Sequence, residues 1–194
     1  MSNESNIRQW KVIESNTIYK DTWITIRSDT ATTGRGETIE NYHVIEYPDC
    51  VNVIPVTTDG NVIIAREYRH GAAEIKLGLI SGSVSGQDFE SGGLAPERAA
   101  RRELLEETGL VASKLEHVFT CCPNTAHQSN YAFTYLAFGI EKKCEPIFEL
   151  GEEVELVYIP VSDLINRVQN GEYLMDAMHA AGLFAAYAYL SKRG

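Results

Sequence analysis

Little in this chain points outside the cell or into a membrane. No apolar run approaches the roughly 18 residues that a membrane-spanning helix needs. The start, MSNESNIRQW, lacks a basic stretch followed by an apolar core, so no secretory signal is expected. Basic residues are scarce: 17 Lys and Arg against 27 Asp and Glu leave a formal net charge of −10. That deficit argues against general binding to nucleic acid or to an anionic membrane. It leaves room for an anionic substrate, because a bound metal ion inverts the local charge. Cysteine is sparse too. Cys50, Cys121, Cys122 and Cys144 contain no C-x-x-C pair, which excludes a disulfide framework and a zinc spacing. Reduced, mostly buried thiols and a cytoplasmic location are expected. There is no internal repeat and no low-complexity linker.

What remains is a chain of 194 residues, 44% apolar, enough for one domain with a small appendage. WKVIESNTIYKDTWITIRSDTAT alternates apolar and polar residues over two short runs, as strands do. GRGE (Gly34 to Glu37) is a turn, and TIENYHVIEY reads as the returning strand. These strands, up to about Pro48, form a separate small antiparallel sheet in this reading. In VNVIPVTTDGNVIIAREYR, Asp59-Gly60 between β-branched runs predicts a hairpin. KLGLISGSV predicts one further strand. The segment from Ser81 to Gly93 is rich in glycine and serine and predicts a loop. A helix follows over about Pro96 to Thr108, with Pro96 in its first turn, Gly109 just past its end, and a poor N-cap in Ala95. Strands are expected at EHVFTC, YAFTYLAFGI and VELVYIPV, and helices near Val161–Gln169 and Met175–Ser191. Met175 and Met178 read as core. Strands interleaved with three helices indicate a mixed α/β or α+β domain.

RRELLEETGL (Arg101 to Leu110) carries the strongest chemical signal. Glu103, Glu106 and Glu107 are spaced i, i+3, i+4, so a helix places all three carboxylates on one face. Like charges this close repel by a few tenths of a kcal/mol per pair. Arg102 can pair with Glu106 at i+4, but one cation does not neutralise three anions. Hard divalent cations such as Mg²⁺ prefer carboxylate oxygens and would offset the rest. The spacing alone also suits a solvated charged face, since glutamate is a good helix former.

Arg102-Glu103-Leu104-Leu105-Glu106-Glu107-Thr108-Gly109-Leu110 resembles the second half of the Nudix box, R-E-U-x-E-E-x-G-U, at every fixed position. VNVIPVTTDGNVIIAREYRHG, PNTAHQSN, ELGEEVELVYIPVSDLI and the N-terminal WKVIESNTIYKDTWITIRSD each resemble segments of that family's ADP-ribose and nucleotide-sugar pyrophosphatase branch. The resemblance covers most of the chain. It implies a Nudix α/β/α sandwich with a mixed sheet over residues 49–194. It also implies a small antiparallel sheet over residues 1–48 that serves as a dimerisation element.

The resemblance breaks in the first half of the box, G-x5-E-x7-R-E. Counting back from Arg102, the glutamate position is Leu94 and the glycine position is Asp88. Gly82 is the best anchor for the glycine, with Gly78 at a position where the branch carries glutamate and Ile80 where it carries proline. Eleven residues then separate Gly82 from Leu94, so the loop is about six residues too long. Its missing acid could come from Glu90, from Asp88, or from nothing.

The resemblance implies metal-dependent hydrolysis of a nucleoside diphosphate linked to another group X, as in ADP-ribose or a nucleotide sugar. The products are a nucleoside monophosphate and a phosphorylated X. Glu103, Glu106 and Glu107 would hold Mg²⁺ (Mn²⁺ as an alternative), with the Ser81 carbonyl a weaker candidate by position. Arg102 would orient the carboxylates. Glu152 or Glu153 in the later acidic loop would act as base or further ligand, Glu152 being slightly preferred, or simply be exposed. Arg69 could meet a phosphate through its planar fork, or form a surface ion pair. His127 could contact substrate from its loop. Trp23 could stack on a base, though a core or interface role suits it as well. His43, His70, His117 and His179 form no ligand spacing. The partners expected are a small-molecule nucleotide and a second copy of the chain. The lost loop glutamate also fits a different reading, a Nudix-fold sensor that holds a nucleotide without cleaving it.

Overall fold

The computed structural model describes residues 7–89, 94–148, 151 and 153–193. The chain forms two compact units, Met1–Pro48 with Asn124–Asn130, and Asp49–Pro123 with Tyr131–Gly194.

The first unit is an antiparallel sheet of β1 (Lys11–Lys20), β2 (Thr25–Thr32) and β3 (Thr38–Glu46), with β2 central. The expected turn joins β2 to β3, with Gly36 at φ 89° and the Thr33 amide bonded to the Glu37 carbonyl at 2.8 Å. The loop Asn124–Asn130 docks on β3, where the Ile45 amide donates to the His127 carbonyl at 2.7 Å. Of the described apolar residues in this unit, only Ala31 is buried. Polar contacts take the place of a core. Asp29, 4% exposed, accepts a hydrogen bond from Ser15 Oγ at 2.5 Å and one from Arg27 Nε at 3.0 Å. Arg27 also pairs with Glu46. All ten residues of β1 are exposed, among them Val12, Ile13, Ile18 and Tyr19.

The second unit contains two sheets. A mixed sheet has the order β7 (Ile80–Ser83), β4 (Cys50–Pro55), β9 (Ala132–Lys142), β8 (Leu110–Cys121), in which β4 and β9 run parallel. An antiparallel sheet has the order β10 (Val154–Pro160), β5 (Asn61–Arg69), β6 (Glu74–Gly78). The helices are α1 (Ala95–Thr108), α2 (Val161–Gln169) and α3 (Ala177–Leu190). One core joins Val51, Val53, Ile63, Ile80, Tyr135 and Leu104 on the α1 side. The other joins Ile54, Val62, Ile64, Leu136, Leu164 and Leu183 on the α2 and α3 side. Neighbouring residues of β4 and β5 therefore serve opposite cores. This is why VNVIP and NVIIA read as nearly continuous apolar runs rather than alternating ones. The helices cover both faces of the mixed sheet, which is the expected α/β/α sandwich.

Five local expectations are corrected. Asp59-Gly60 does form a turn, with Gly60 at φ 85°, but β4 and β5 share only the Val56–Val62 bridge before entering different sheets. The turn is a corner between sheets, not a hairpin. KLGLISGSV is two strands, because Leu79 alone carries the chain from one sheet to the other. Ser81–Gly93 is not loop throughout: β7 continues to Ser83, and a 3-10 turn spans Gly86–Phe89. The thiols are less buried than expected, for Cys122 is exposed and the other three are half-buried. Burial still pushes the Cys50 thiol up to about 11. The last helix starts at Ala177, after Met175; Met175 still packs, half-buried, against the α2 and α3 core, and Met178 is half-buried on α3.

Candidate active site

α1 begins without a side-chain cap at Leu94, relies on the proline in its first turn, and ends at Gly109. Gly109 sits at φ 69° and its amide bonds to the Leu105 carbonyl at 2.8 Å. The αL conformation favours glycine there. A Cβ at this position would also come within 2.1 Å of the Cys144 carbonyl oxygen.

Glu103 and Glu107 are buried on this helix, at 9% and 8% exposure. Glu106 is half-buried. The Glu103 carboxylate lies against the backbone of β7 at Gly82. A Cβ at Gly82 would stand 2.0 Å from Glu103 Oε1, so the close approach requires glycine. One residue earlier, the Ser81 amide donates to Glu107 Oε1 at 3.4 Å. In an antiparallel ladder the N–H and C=O of one residue leave the strand on the same side. The Ser81 carbonyl therefore also faces α1.

Arg102 ties these groups together. Its Nη1 donates to Glu103 Oε1 at 2.7 Å and to Glu106 Oε2 at 2.9 Å. Its Nη2 donates to the Ser83 carbonyl at 2.8 Å and to Asp88 Oδ2 at 3.2 Å. Its Nε is buried with no hydrogen-bond partner among the described residues. Burial pulls the guanidinium pKa down, but hydrogen bonds and charge from Asp88, Glu103 and Glu106 hold it above its ordinary value.

Asp88 is 4% exposed and lies in the 3-10 turn. Its Oδ2 accepts from the Ser85 amide at 2.8 Å and from Ser85 Oγ at 2.9 Å. Burial pushes this carboxyl up, yet the Ser85 and Arg102 hydrogen bonds outweigh it and hold the pKa below the usual value. The other acid considered for this loop, Glu90, lies outside the described residues.

Glu152 also lies outside the described residues. Glu153 is exposed and lines a cavity of about 440 Å³ with Arg66, Glu67, Tyr68, Ile75 and Phe148. The Ile147 amide bonds to the Glu106 carbonyl at 2.8 Å, so the segment leading to Phe148 rests on the C-terminal end of α1. Arg69 ends β5 and pairs with Glu67 at 2.7 Å. Trp23 and His127 belong to the first unit. Trp23 is 66% exposed, which removes the core alternative. His127 stacks on Tyr42 at 6.1 Å, and its Nδ1 lies 3.2 Å from the His43 carbonyl.

The sequence offers Asp88 as one of two acids for this loop without saying what it holds, and His179 escaped sequence reasoning. The role of Asp88 is foreshadowed by Ser85-Gly86-Gln87-Asp88, the S-x-x-acid pattern of a capping box. His179 gave no usable signal. It is fully buried on α3, and its Nδ1 accepts from the Leu79 amide at 3.3 Å. A Cβ at Gly78 would stand 3.0 Å from that nitrogen and 3.9 Å from Arg69 Nη2. Burial, then the Arg69 charge, pulls the His179 pKa down to about 4, with Asp176 opposing.

Three carboxylates on one helix face, with a carbonyl on the same side, suit a hard divalent cation in number and in kind. Among the described residues no three His, Cys, Asp or Glu side chains gather closely enough to hold one. Glu106 is instead turned to Arg102, and Glu107 to the Ser81 amide. Long glutamate side chains exchange such partners by changing rotamer.

Comparison with known proteins places this geometry. A family model described as the NUDIX domain matches residues 46–178, and one described as the nucleoside diphosphate sugar hydrolase N-terminal domain matches residues 10–45. The chain is 24% identical over 184 residues to an ADP-ribose pyrophosphatase of Mycobacterium tuberculosis, covering 92% of this chain and 84% of that protein. It is 26% identical over 131 residues to an ADP-ribose pyrophosphatase of Bacillus subtilis, covering 66% and 67%. A crystal structure of an ADP compounds hydrolase superposes with a TM-score of 0.82 at 20% identity over 97% of both chains, which shows a shared fold.

Proposed function

The chain belongs to the Nudix hydrolase family, and we propose that it hydrolyses the pyrophosphate bond of a nucleoside diphosphate linked to X, with ADP-ribose or a nucleotide sugar as the substrate class. The observation that carries this reading is the face of α1. There Arg102 gathers Glu103 and Glu106 while Gly82 lets Glu103 close against β7.

In this reading Glu103, Glu106 and Glu107 hold Mg²⁺ or Mn²⁺, with the Ser81 carbonyl beside them. The cation, when bound, neutralises the diphosphate, polarises its P–O bonds and lowers the pKa of a water. The residues of the chain do the rest. Arg102 holds two carboxylates in one orientation. Glu153, which lines the 440 Å³ cavity, or Glu152 before it in the sequence takes the proton from the attacking water. Arg69 meets a phosphate once it exchanges its Glu67 partner. Tyr68 and Phe148 give the cavity the flat apolar surfaces that suit a base or a sugar ring. Trp23 and His127 are the contacts proposed from the first unit.

A homodimer belongs to the same reading, with residues 1–48 as the dimerisation element and residues 49–194 as the catalytic domain. Every residue of β1 is exposed in the single chain, and among the described residues the strand pairs on one edge only. Such an edge is normally covered. No helix among the described residues is long and apolar enough to cross a membrane. A cytoplasmic location completes the proposal.

The test is a hydrolysis screen with ADP-ribose, nucleotide sugars, dinucleotides and nucleoside triphosphates, with and without Mg²⁺ or Mn²⁺, following release of nucleoside monophosphate. Metal-dependent cleavage of one diphosphate class is expected. No cleavage, together with thermal stabilisation by one of these ligands, would replace the enzyme with a nucleotide sensor.

A further inference from the structure

We propose that Asp88 is a positioning residue for the metal helix, so that Ser83–Asp88, after Gly82, is part of the active-site support. The inference rests on the metal-binding reading of α1.

A guanidinium presents two carboxylates correctly only if its plane is held from the other side. On Arg102, Nη1 serves Glu103 and Glu106, and the buried Nε has no partner among the described residues. The hold therefore falls to Nη2, through the Ser83 carbonyl at 2.8 Å and Asp88 at 3.2 Å. Asp88 is itself fixed. Its carboxylate caps the Ser85 amide and hydroxyl, and its own amide returns to the Ser85 carbonyl at 3.0 Å. A rigid path runs from the Ser85–Asp88 turn, through Asp88 and Arg102, to two of the proposed metal ligands. Leu94, where spacing from Arg102 calls for an acid, is 71% exposed and has no polar side chain to offer. Setting one more carboxylate on the same guanidinium deepens the local negative charge, which a bound cation offsets.

The test uses the full-length protein in three forms, wild type, Asp88→Asn and Asp88→Asn with Leu94→Glu. Mn²⁺ binding is followed by the electron paramagnetic resonance of the free ion, beside steady-state kinetics and melting in EDTA. Asp88→Asn should lose about 10- to 100-fold in Mn²⁺ affinity and in kcat, the usual cost of removing a group that orients ligands. KM for the nucleotide should change little, and adding Leu94→Glu should restore nothing. Asp88→Glu should recover part of the loss. If Asp88→Asn fails to fold, Ser85→Ala, which removes one hydrogen bond to Asp88, should give a smaller loss of Mn²⁺ affinity in the same direction. Wild-type affinity and turnover in Asp88→Asn, or rescue by Leu94→Glu, overturns the proposal and leaves the hydrolase reading standing. Weakened Mn²⁺ binding in a protein that cleaves nothing in the screen supports the proposal and sinks that reading. A wild-type protein that binds no Mn²⁺ overturns both.

Discussion

Two buried aspartates in this molecule have nearly the same surroundings. Asp29 in the N-terminal sheet and Asp88 beside α1 are each 4% exposed. Each accepts a serine hydroxyl, from Ser15 and from Ser85 respectively, and each binds an arginine that in turn binds glutamate. Arg27 holds Glu46, and Arg102 holds Glu103 and Glu106. The difference lies in what surrounds each node. The first stands in a unit where Ala31 is the only buried apolar residue among those described, so it does the work of a core. The second lies beside a full hydrophobic core, and its glutamates share α1 with Glu107. In the proposed reading the same side-chain chemistry serves stability in one place and site geometry in the other.

The comparison is tested most severely at the glutamates. Glu106→Gln or Glu107→Gln should lower metal-dependent turnover by about two to three orders of magnitude in a folded protein, several kcal/mol of transition-state stabilisation. Glu46→Gln, the matching change in the first node, should leave kcat unchanged and lower only the melting temperature. Equal losses of turnover would erase the distinction.

Acid separates the nodes from a third buried group. Asp29 and Asp88 are both held below their ordinary pKa, so their stabilisation is present above about pH 4 and is lost only below it. His179 is depressed to about 4 from an ordinary value near 6.5. Between those values the unfolded chain binds the extra proton. Stability is therefore full above pH 6.5 and falls as the pH drops towards 4, by about 3 kcal/mol in all. Urea midpoints should decline between pH 7 and pH 5 in the wild type and stay flatter in His179→Asn. An equal decline in both would remove His179 as the cause.

Smaller effects sharpen the contrast. Gly82→Ala forces a methyl group into the Glu103 carboxylate and should cost about 1–3 kcal/mol of stability by overpacking. It should also weaken Mn²⁺ binding, seen in the same resonance titration. Asp29→Asn should cost about 1 kcal/mol, read from the urea midpoint, and leave Mn²⁺ affinity untouched.

Much of this was legible in the sequence because local rules decide it. The spacing of Glu103, Glu106 and Glu107, with a proline in the first turn and Gly109 after the last, specifies α1 and its acidic face. The strands of the first unit follow from alternation and the Gly34–Glu37 turn. What stayed hidden depends on long-range pairing. No local signal says that β4 and β5 part after Asp59-Gly60, or that Leu79 changes sheets, because each decision is made by partners far along the chain. At the site, counting residues back from Arg102 leads to Leu94. Only the folded path of Ser85–Asp88 brings a different carboxylate to the guanidinium. His179 could not be read at all, since its burial depends on Gly78 leaving room for the imidazole.

The single-residue crossing at Leu79 bears on where this chain can change in length. Adding or deleting one residue between Gly78 and Gly82 would shift the register of β7 against β4 and turn every following residue to the opposite face. The amide at position 81 and the bare backbone at position 82 would then both point away from α1. After Ser83 one backbone bond remains, from the Val84 amide to the Asp49 carbonyl at 2.8 Å, and the turn that carries Asp88 follows it. Extra length that leaves Ser83–Asp88 intact preserves the hold on Arg102, whereas a shift between Gly78 and Gly82 removes what α1 rests on.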